Sequence, residues 1–417
     1  MNYYQQNHDK FLEGLKTFLR IPSISTLSEH KPDIRRAAEF VLNEFRAAGL
    51  QNAELIEGKG NPLVYAEWLG APGKPTLLMY GHYDVQPPDP LEEWKSPPFE
   101  PAVCGNDLFA RGASDDKGQT YILIKAVEGL LATNGRLPVN VKFLIEGEEE
   151  SSGDHIETYV KQNPARLKAD AAVICDTEMF APELPTICVG LRGIVYAELI
   201  VDGANHDLHS GVYGGAAPNP FQAIAEIIAA LKGPDGRIRI PGLYDRVVPP
   251  SAKERAAWAR PTFEVHGIRG GFTGEGAKTV IPARAVAKIS LRLVADQDPV
   301  ETTEQLKAAV RAACPKGVTA EVKVLHAGPA SLVNPDNRFI QTAADAMTQV
   351  FGKETVYIRS GGSIPIVDAF AQHLHIPSVM MGFGLPDDNL HAPNEKLHLP
   401  NFFRGIEAVA KYLEMLG

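Results

Sequence analysis

Cysteine is too scarce to staple this chain together. Cys104, Cys175, Cys188 and Cys314 are spread through 417 residues. None forms a Cys-x-x-Cys pair, which removes the usual thiolate ligands of zinc, and a disulfide framework is not expected at this length. Positive charge is also short: 41 basic against 51 acidic side chains leave a formal net charge of −10. That balance gives no electrostatic reason to bind nucleic acid or an anionic membrane. No stretch approaches the roughly 18 apolar residues of a membrane span. Met1–Arg20 lacks the basic flank, apolar run and small-residue cleavage site of a signal peptide. A reducing cytoplasm is the expected location. Internal repeats, low-complexity tracts and a G-x-S-x-G nucleophile elbow are missing as well, so a serine hydrolase finds little support.

What is present reads as a globular chain, with 44% apolar and 22% charged residues. Its length favours two domains. Phe11, Leu12, Leu15, Phe18 and Leu19 fall at helical spacing over 8–20, and Ile34, Ala38, Val41 and Phe45 do so over 33–49, with Gly49 near the stop. Short apolar runs at 76–80, 139–145, 171–175 and 378–381 read as buried strands. Helical patterns, such as 119–131, separate most of them. This alternation predicts an α/β catalytic domain with a mostly parallel central sheet flanked by helices. The middle differs. A strand-like run at 190–202 and a helix at 220–232 lead to a Pro/Arg-rich stretch up to about 260. An alternating segment at 280–294, a helix at 300–313 and the strand TAEVKVL follow. The expectation is an inserted α+β domain over 188–330, with the catalytic domain made of 1–187 and 331–417.

Histidines and carboxylates gather where strands of the α/β domain end. TLLMY runs into Gly81-His82-Tyr83-Asp84, VKFLI into Glu146 to Glu150, and AAVIC into Asp176. SVMM leads through a loop to His391, and Asp115 lies in RGASDDKG, which opens a helix. Ligands of open α/β sheets collect outside the carboxyl ends of strands, so these groups can converge. Neutral imidazoles with carboxylates are the ligand set of a hydrolytic zinc site. Singly, each has a plainer explanation. His82 alone reads as a packed loop histidine, Asp115-Asp116 as a helix start, and 146–150 as a solvated charge run. Asp84 changes the first reading, because residues i and i+2 of an extended segment face the same way and a carboxylate there can orient a metal-bound imidazole. So many acids directly after a buried strand are costly unless cations neutralise them.

GHYDVQP at 81–87, RGASDDKG at 111–118, EGEEESSG at 146–153, DLHSGVYGG at 207–215, SGGSIP at 360–365 and HAPNEKL at 391–397 occur in this order. As a set they resemble the metallopeptidase family of carnosinase, cytosolic nonspecific dipeptidase, carboxypeptidase G, aminoacylase and succinyl-diaminopimelate desuccinylase. The likeness is closest to the carnosinase-like dipeptidase branch. It implies two zinc ions per subunit, with manganese or cobalt able to substitute. His82 and Asp176 would hold one metal, Glu150 and His391 the other, and Asp115 would bridge them. Asp84 would stand behind His82, and the Asp115–Asp116 peptide bond would be cis. Glu149 would be the general base that takes a proton from a water shared by the metals. His209 would steady the oxyanion from the partner subunit of a homodimer. Thr279, Arg292, Arg359 and Ser363 would line the substrate pocket, Arg292 suiting a terminal carboxylate. The inserted domain would serve as lid and dimerisation domain.

The resemblance therefore implies hydrolysis of a dipeptide amide bond. Asp176 favours substrates with a free amine, because glutamate at that position goes mostly with carboxypeptidases and N-acyl deacylases. An N-acyl-amino-acid deacylase or carboxypeptidase is the alternative. A non-catalytic peptide-binding relic is remote, since it would have no use for Glu149.

Overall fold

A computed structural model describes residues 2–151, 153–247 and 260–417. Most of the tail of the Pro/Arg-rich stretch, and Ser152 of EGEEESSG, lie outside the described residues. The chain divides into two compact units. The first holds Met1–Val189, Val333–Ile358 and Ile366–Gly417, and the second Gly190–Leu332 and Arg359–Pro365.

In the first unit the strands lie in the order Gln51–Ile56, Leu63–Trp68, Asn140–Glu146, Thr76–His82, Ala171–Ile174, Ser378–Met380 and Thr186–Leu191. From Asn140–Glu146 to Ser378–Met380 all neighbours are parallel. Both flanks pair antiparallel, so the whole sheet is mixed around a parallel centre. Parallel strands are covered on both faces, which is why these runs are apolar without alternation. Asn140–Glu146 is buried at every position. Helix Lys117–Asn134 is likewise enclosed nearly all round, with every residue from Lys117 to Leu130 buried, the polar side chains of Lys117, Gln119, Thr120, Lys125 and Glu128 included. It packs between the strand Thr76–His82 and the helix Leu399–Leu416, and Gly135 ends it in the left-handed region at φ 66°. Among the described residues no helix is long and apolar enough to cross a membrane.

The second unit is a four-stranded antiparallel sheet in the order Thr262–Gly270, Arg284–Leu293, Gly193–Asp202 and Thr319–Gly328. Alternate residues of Gly193–Asp202 are buried, the period of a strand with one covered face. Val195, Ala197, Leu199 and Val201 meet Ile224 and Ile227 of helix Pro220–Leu231 and Leu306 and Val310 of helix Pro299–Ala313. Each helix starts on proline after a capping side chain: Asn219 accepts from the Phe221 N–H, and Asp298 from Val300 and Glu301. Arg359–Pro365 clusters with this sheet, although the sequence around it reads as part of the other domain.

Candidate metal centre

The strand Thr76–His82 delivers a wholly buried His82 at its carboxyl end. Its backbone is fixed by Asp116, whose Oδ2 accepts the His82 N–H at 3.1 Å and the Thr120 hydroxyl at 2.8 Å. The close approach needs glycine at position 81: a Cβ there would fall 2.0 Å from Thr120 Oγ1 and 2.9 Å from Asp116 Oδ2. His82 Nδ1 lies 3.1 Å from the Asp84 carbonyl oxygen and 3.3 Å from Asp84 Oδ1. The other Asp84 oxygen accepts the Glu150 N–H at 3.1 Å. Asp84 thus touches the segments that carry two of the expected ligands.

The remaining expected ligands converge on this point. His82 Nε2 is 3.2 Å from Asp115 Oδ1 and 3.9 Å from Asp176 Oδ2. His391 Nε2 is 2.9 Å from Asp115 Oδ2 and 3.4 Å from Glu150 Oε2. Two groups able to hold a metal ion result, His82–Asp115–Asp176 and Asp115–Glu150–His391, each with its ligand atoms within 4.8 Å of one another. Asp115 belongs to both. The Asp115–Asp116 peptide bond is cis. Glu149 opens a short 3-10 turn beside Glu150 and belongs to neither group.

The donors fit a pair of divalent cations. His82 Nε2 is buried and lacks a hydrogen-bond partner, a costly state for an imidazole unless something else meets the nitrogen. Imidazole nitrogens with carboxylate oxygens are also the donor chemistry of such ions. The electrostatics agree. Burial pushes Asp176 and Glu150 well above the ordinary carboxylate range, aided by the neighbouring acids. Burial and the charges of Asp115 and Glu146 lift Glu149 to about 8, while His82 partly opposes them. Asp115 goes the other way: burial raises it, but His391 and His82 outweigh burial and hold it low. Burial alone would lower both histidines. Contacts with Asp115 and Asp84 nevertheless lift His82 well above its ordinary value, and Asp115 and Glu150 lift His391 to about 9. The pocket calls for positive charge that its own side chains supply only by protonation.

The substrate-contact candidates lie on the second unit. His209 is exposed, and its Nδ1 accepts the Gly211 N–H at 3.0 Å. It pairs across a short ladder with Val280, next to Thr279, whose carbonyl accepts the Ser210 N–H at 3.1 Å. Arg292 Nη1 donates to Ser363 Oγ at 2.9 Å. The Ser363 hydroxyl in turn donates to the Arg192 carbonyl, and Arg192 Nε to the Gly361 carbonyl at 3.0 Å. Arg359 packs along Gly190, where an added Cβ would meet its Cγ at 3.1 Å.

Several residues of these neighbourhoods were not singled out from sequence. Asp116 anchors His82, and Gln86 donates to Glu150 Oε2 at 2.8 Å. Arg192 braces the Ser363 loop. Glu395 binds the loop of Asp115, 280 residues away in sequence. Asp116, Gln86 and Glu395 lie inside the quoted motifs, so the signal was at hand. Arg192 lies in none of them.

Two histidine–carboxylate groups sharing one aspartate, set at the carboxyl ends of parallel strands, define a metallohydrolase. The sequence profile of peptidase family M20/M25/M40 matches residues 78–415, and the chain belongs to that family and is a metallopeptidase. The chain is 31% identical to the Cys-Gly metallodipeptidase of Schizosaccharomyces pombe, over 98% of this chain and 96% of the relative. The crystal structure of human carnosine dipeptidase 1 superposes with a TM-score of 0.90 at 28% identity, covering 99% of this chain and 97% of that one. The M20 family metallo-carboxypeptidase of Sulfolobus solfataricus gives 0.87 at 33% identity, covering 97% and 99%. The family resemblance carried by the six motifs is thereby confirmed, as is the carnosinase-like branch.

Proposed function

We propose that this protein hydrolyses the amide bond of unblocked dipeptides at a two-zinc centre. The carrying observation is the pair of candidate ligand groups that share Asp115 while Glu149, next to Glu150, belongs to neither. His82 and Asp176 would hold one ion, Glu150 and His391 the other, and Asp115 would be common to both. The ions, when bound, polarise the scissile carbonyl and lower the pKa of water. Glu149 removes the proton from the attacking water and returns it to the leaving amine, a role suited to a carboxyl lifted towards neutral pH. Asp84 keeps the His82 ring in place through Nδ1, leaving Nε2 to the metal. Arg292, with Ser363 and Arg359, takes the substrate carboxylate, Thr279 adds a hydroxyl, and His209 donates to the developing oxyanion.

His209 is exposed beside Val212 and Tyr213, which are 69% and 46% exposed. We place it in the active site of the partner subunit of a homodimer. The cysteines are all free, in keeping with a cytoplasmic protein. Zinc is favoured over manganese by the two imidazoles.

A carboxypeptidase is the second reading, supported by the 33% identity to the Sulfolobus enzyme. Parallel kinetics on a free dipeptide, its N-acetyl form and a longer peptide, with metal content measured on the same preparation, separate the two. The free dipeptide is expected to be turned over best, with two zinc ions bound. Preference for the blocked or longer substrate removes the dipeptidase reading, and full activity without metal removes the mechanism. Activity that stays constant as a demonstrated monomer is diluted removes the role of His209.

A further inference from the structure

Glu395 is fully buried, and its carboxylate is saturated with donors. One oxygen takes Arg111 Nη1 at 2.8 Å and the Gly112 N–H at 2.9 Å. The other takes the Ser114 N–H at 3.0 Å and the Asp115 N–H at 3.1 Å. A second bond runs alongside, from the Ala110 N–H to the Glu395 carbonyl at 3.1 Å. Ser114 is held further by Asp388, whose Oδ2 accepts its hydroxyl at 2.8 Å. The 110–115 loop is therefore fastened along its length to the segment 388–395.

We infer that Glu395 is a positioning residue for the metal centre, setting where the shared carboxylate of Asp115 meets His391. This rests on the two-metal reading above. His391 lies four positions before Glu395 on the same segment, in a left-handed backbone conformation at φ 60° that a non-glycine residue keeps only when its surroundings enforce it. The plainer role, a charge partner for buried Arg111, needs the guanidinium alone. It leaves unexplained why three of the four donors are loop amides, those of Gly112, Ser114 and Asp115 itself. A buried ion pair is also weak ground for stability in its own right. Carboxylates bonded to backbone N–H groups hold geometry tightly because the donors cannot rotate away. Gly112 belongs to the same device. It sits at φ 82°, and a Cβ would fall 2.6 Å from Val85 Cγ1.

The test is Glu395→Gln in the full-length protein, read by cobalt titration. Calorimetry gives the affinity, and the visible absorption of the bound cobalt gives its coordination. The amide nitrogen cannot accept from the loop, so one side of the cradle is lost. The expected result is a fall of roughly 10–100-fold in cobalt affinity, the range found for residues that orient ligands, with a changed cobalt spectrum and a loss in kcat larger than the rise in KM. Glu395→Asp keeps the charge but is one methylene short. It serves the same comparison if the glutamine variant does not fold. Asn140→Ala is the control for general destabilisation: Asn140 is buried in the same unit and bonded to Ala71 and Lys74, away from the loop. It should lower Tm and leave cobalt affinity and spectrum unchanged. Wild-type affinity and spectrum in a folded Glu395 variant overturn the inference. An equal affinity loss in Asn140→Ala at matched loss of Tm does so too. Failure of the unmodified protein to bind cobalt would instead sink the metal-centre reading itself.

Discussion

Replacing Glu149 by glutamine separates proton transfer from metal binding. The side chain keeps its size and loses only its basicity. Glu149 is in neither ligand group, so both ions should stay. Its carboxyl is lifted to about 8 first by burial and then by Asp115 and Glu146, so the variant also removes one acid from a crowded pocket. Cobalt or zinc affinity should therefore change by less than about tenfold, since no coordinate bond is lost and only a neighbouring charge disappears. The rate should fall much further. A positioned general base contributes about 10²–10⁴-fold, equivalent to about 2.7–5.4 kcal/mol in activation free energy. The loss should fall on kcat, with KM little moved, because the proton is transferred only on the way to the transition state. The assay is steady-state hydrolysis of a free dipeptide, with metal stoichiometry measured by elemental analysis of the same sample. A variant that retains two metals and turns over within tenfold of the parent would refute the general-base role. One that loses a metal would place Glu149 among the ligands instead.

Chelation should abolish activity and lower Tm, and zinc, cobalt or manganese should restore both. A ligand at about 1,000 times its Kd adds about 4.1 kcal/mol to the folded state, so an unchanged Tm on metal removal would contradict the site. Metal affinity should weaken as pH falls through about 8. In the metal-free pocket Glu149 and Glu146 are lifted to about 8 and Asp116 to about 7 by burial. Protons therefore occupy these raised-pKa groups at lower pH and oppose the cations. Calorimetry in two buffers of different ionisation enthalpy should register proton release on metal binding, and a pH-independent affinity would exclude this linkage. Asp84→Ala should cost about 10–100-fold in metal affinity, because Asp84 faces both the His82 ring and the Glu150 N–H; unchanged affinity would show that the Asp84 carbonyl alone orients the ring. Arg292→Lys should raise KM for dipeptides more than it lowers kcat, since an ammonium lacks the two-pronged geometry of a guanidinium. Unaltered KM would move carboxylate recognition elsewhere.

The parallel centre of the sheet was legible because its strands are apolar on both faces and three of the four run into acids or histidine. TLLMY into His82 and VKFLI into Glu146 are readable without a structure. The flanking strands were not. Gln51–Ile56 buries none of its residues and carries no alternation. Thr262–Gly270 is an edge strand with most residues exposed, so burial left no mark on its composition. The residues of the two candidate ligand groups were legible because metal chemistry restricts the residue type at each position. Glu395 was not, since an acid in HAPNEKL reads equally well as a turn residue. Its importance comes from amides on a loop far away in the chain. The burial of Lys117, at the start of a helix, was no more visible: its Nζ donates to the carbonyl of Ile21 at 2.5 Å and lies 5.0 Å from the Phe18 ring.

The distribution of the ligand groups along the chain has a consequence for biosynthesis. His82, Asp115 and Asp176 all leave the ribosome well before His391 and Glu395. One group of ligands is therefore complete in sequence long before the segment that fastens its shared aspartate exists. The helix Leu399–Leu416, which packs on Lys117–Asn134, comes later still. A metal centre built from these residues would therefore be completed only after the 391–395 segment has been made: until then the nascent chain carries His82, Asp115 and Asp176 without the His391 of the other group.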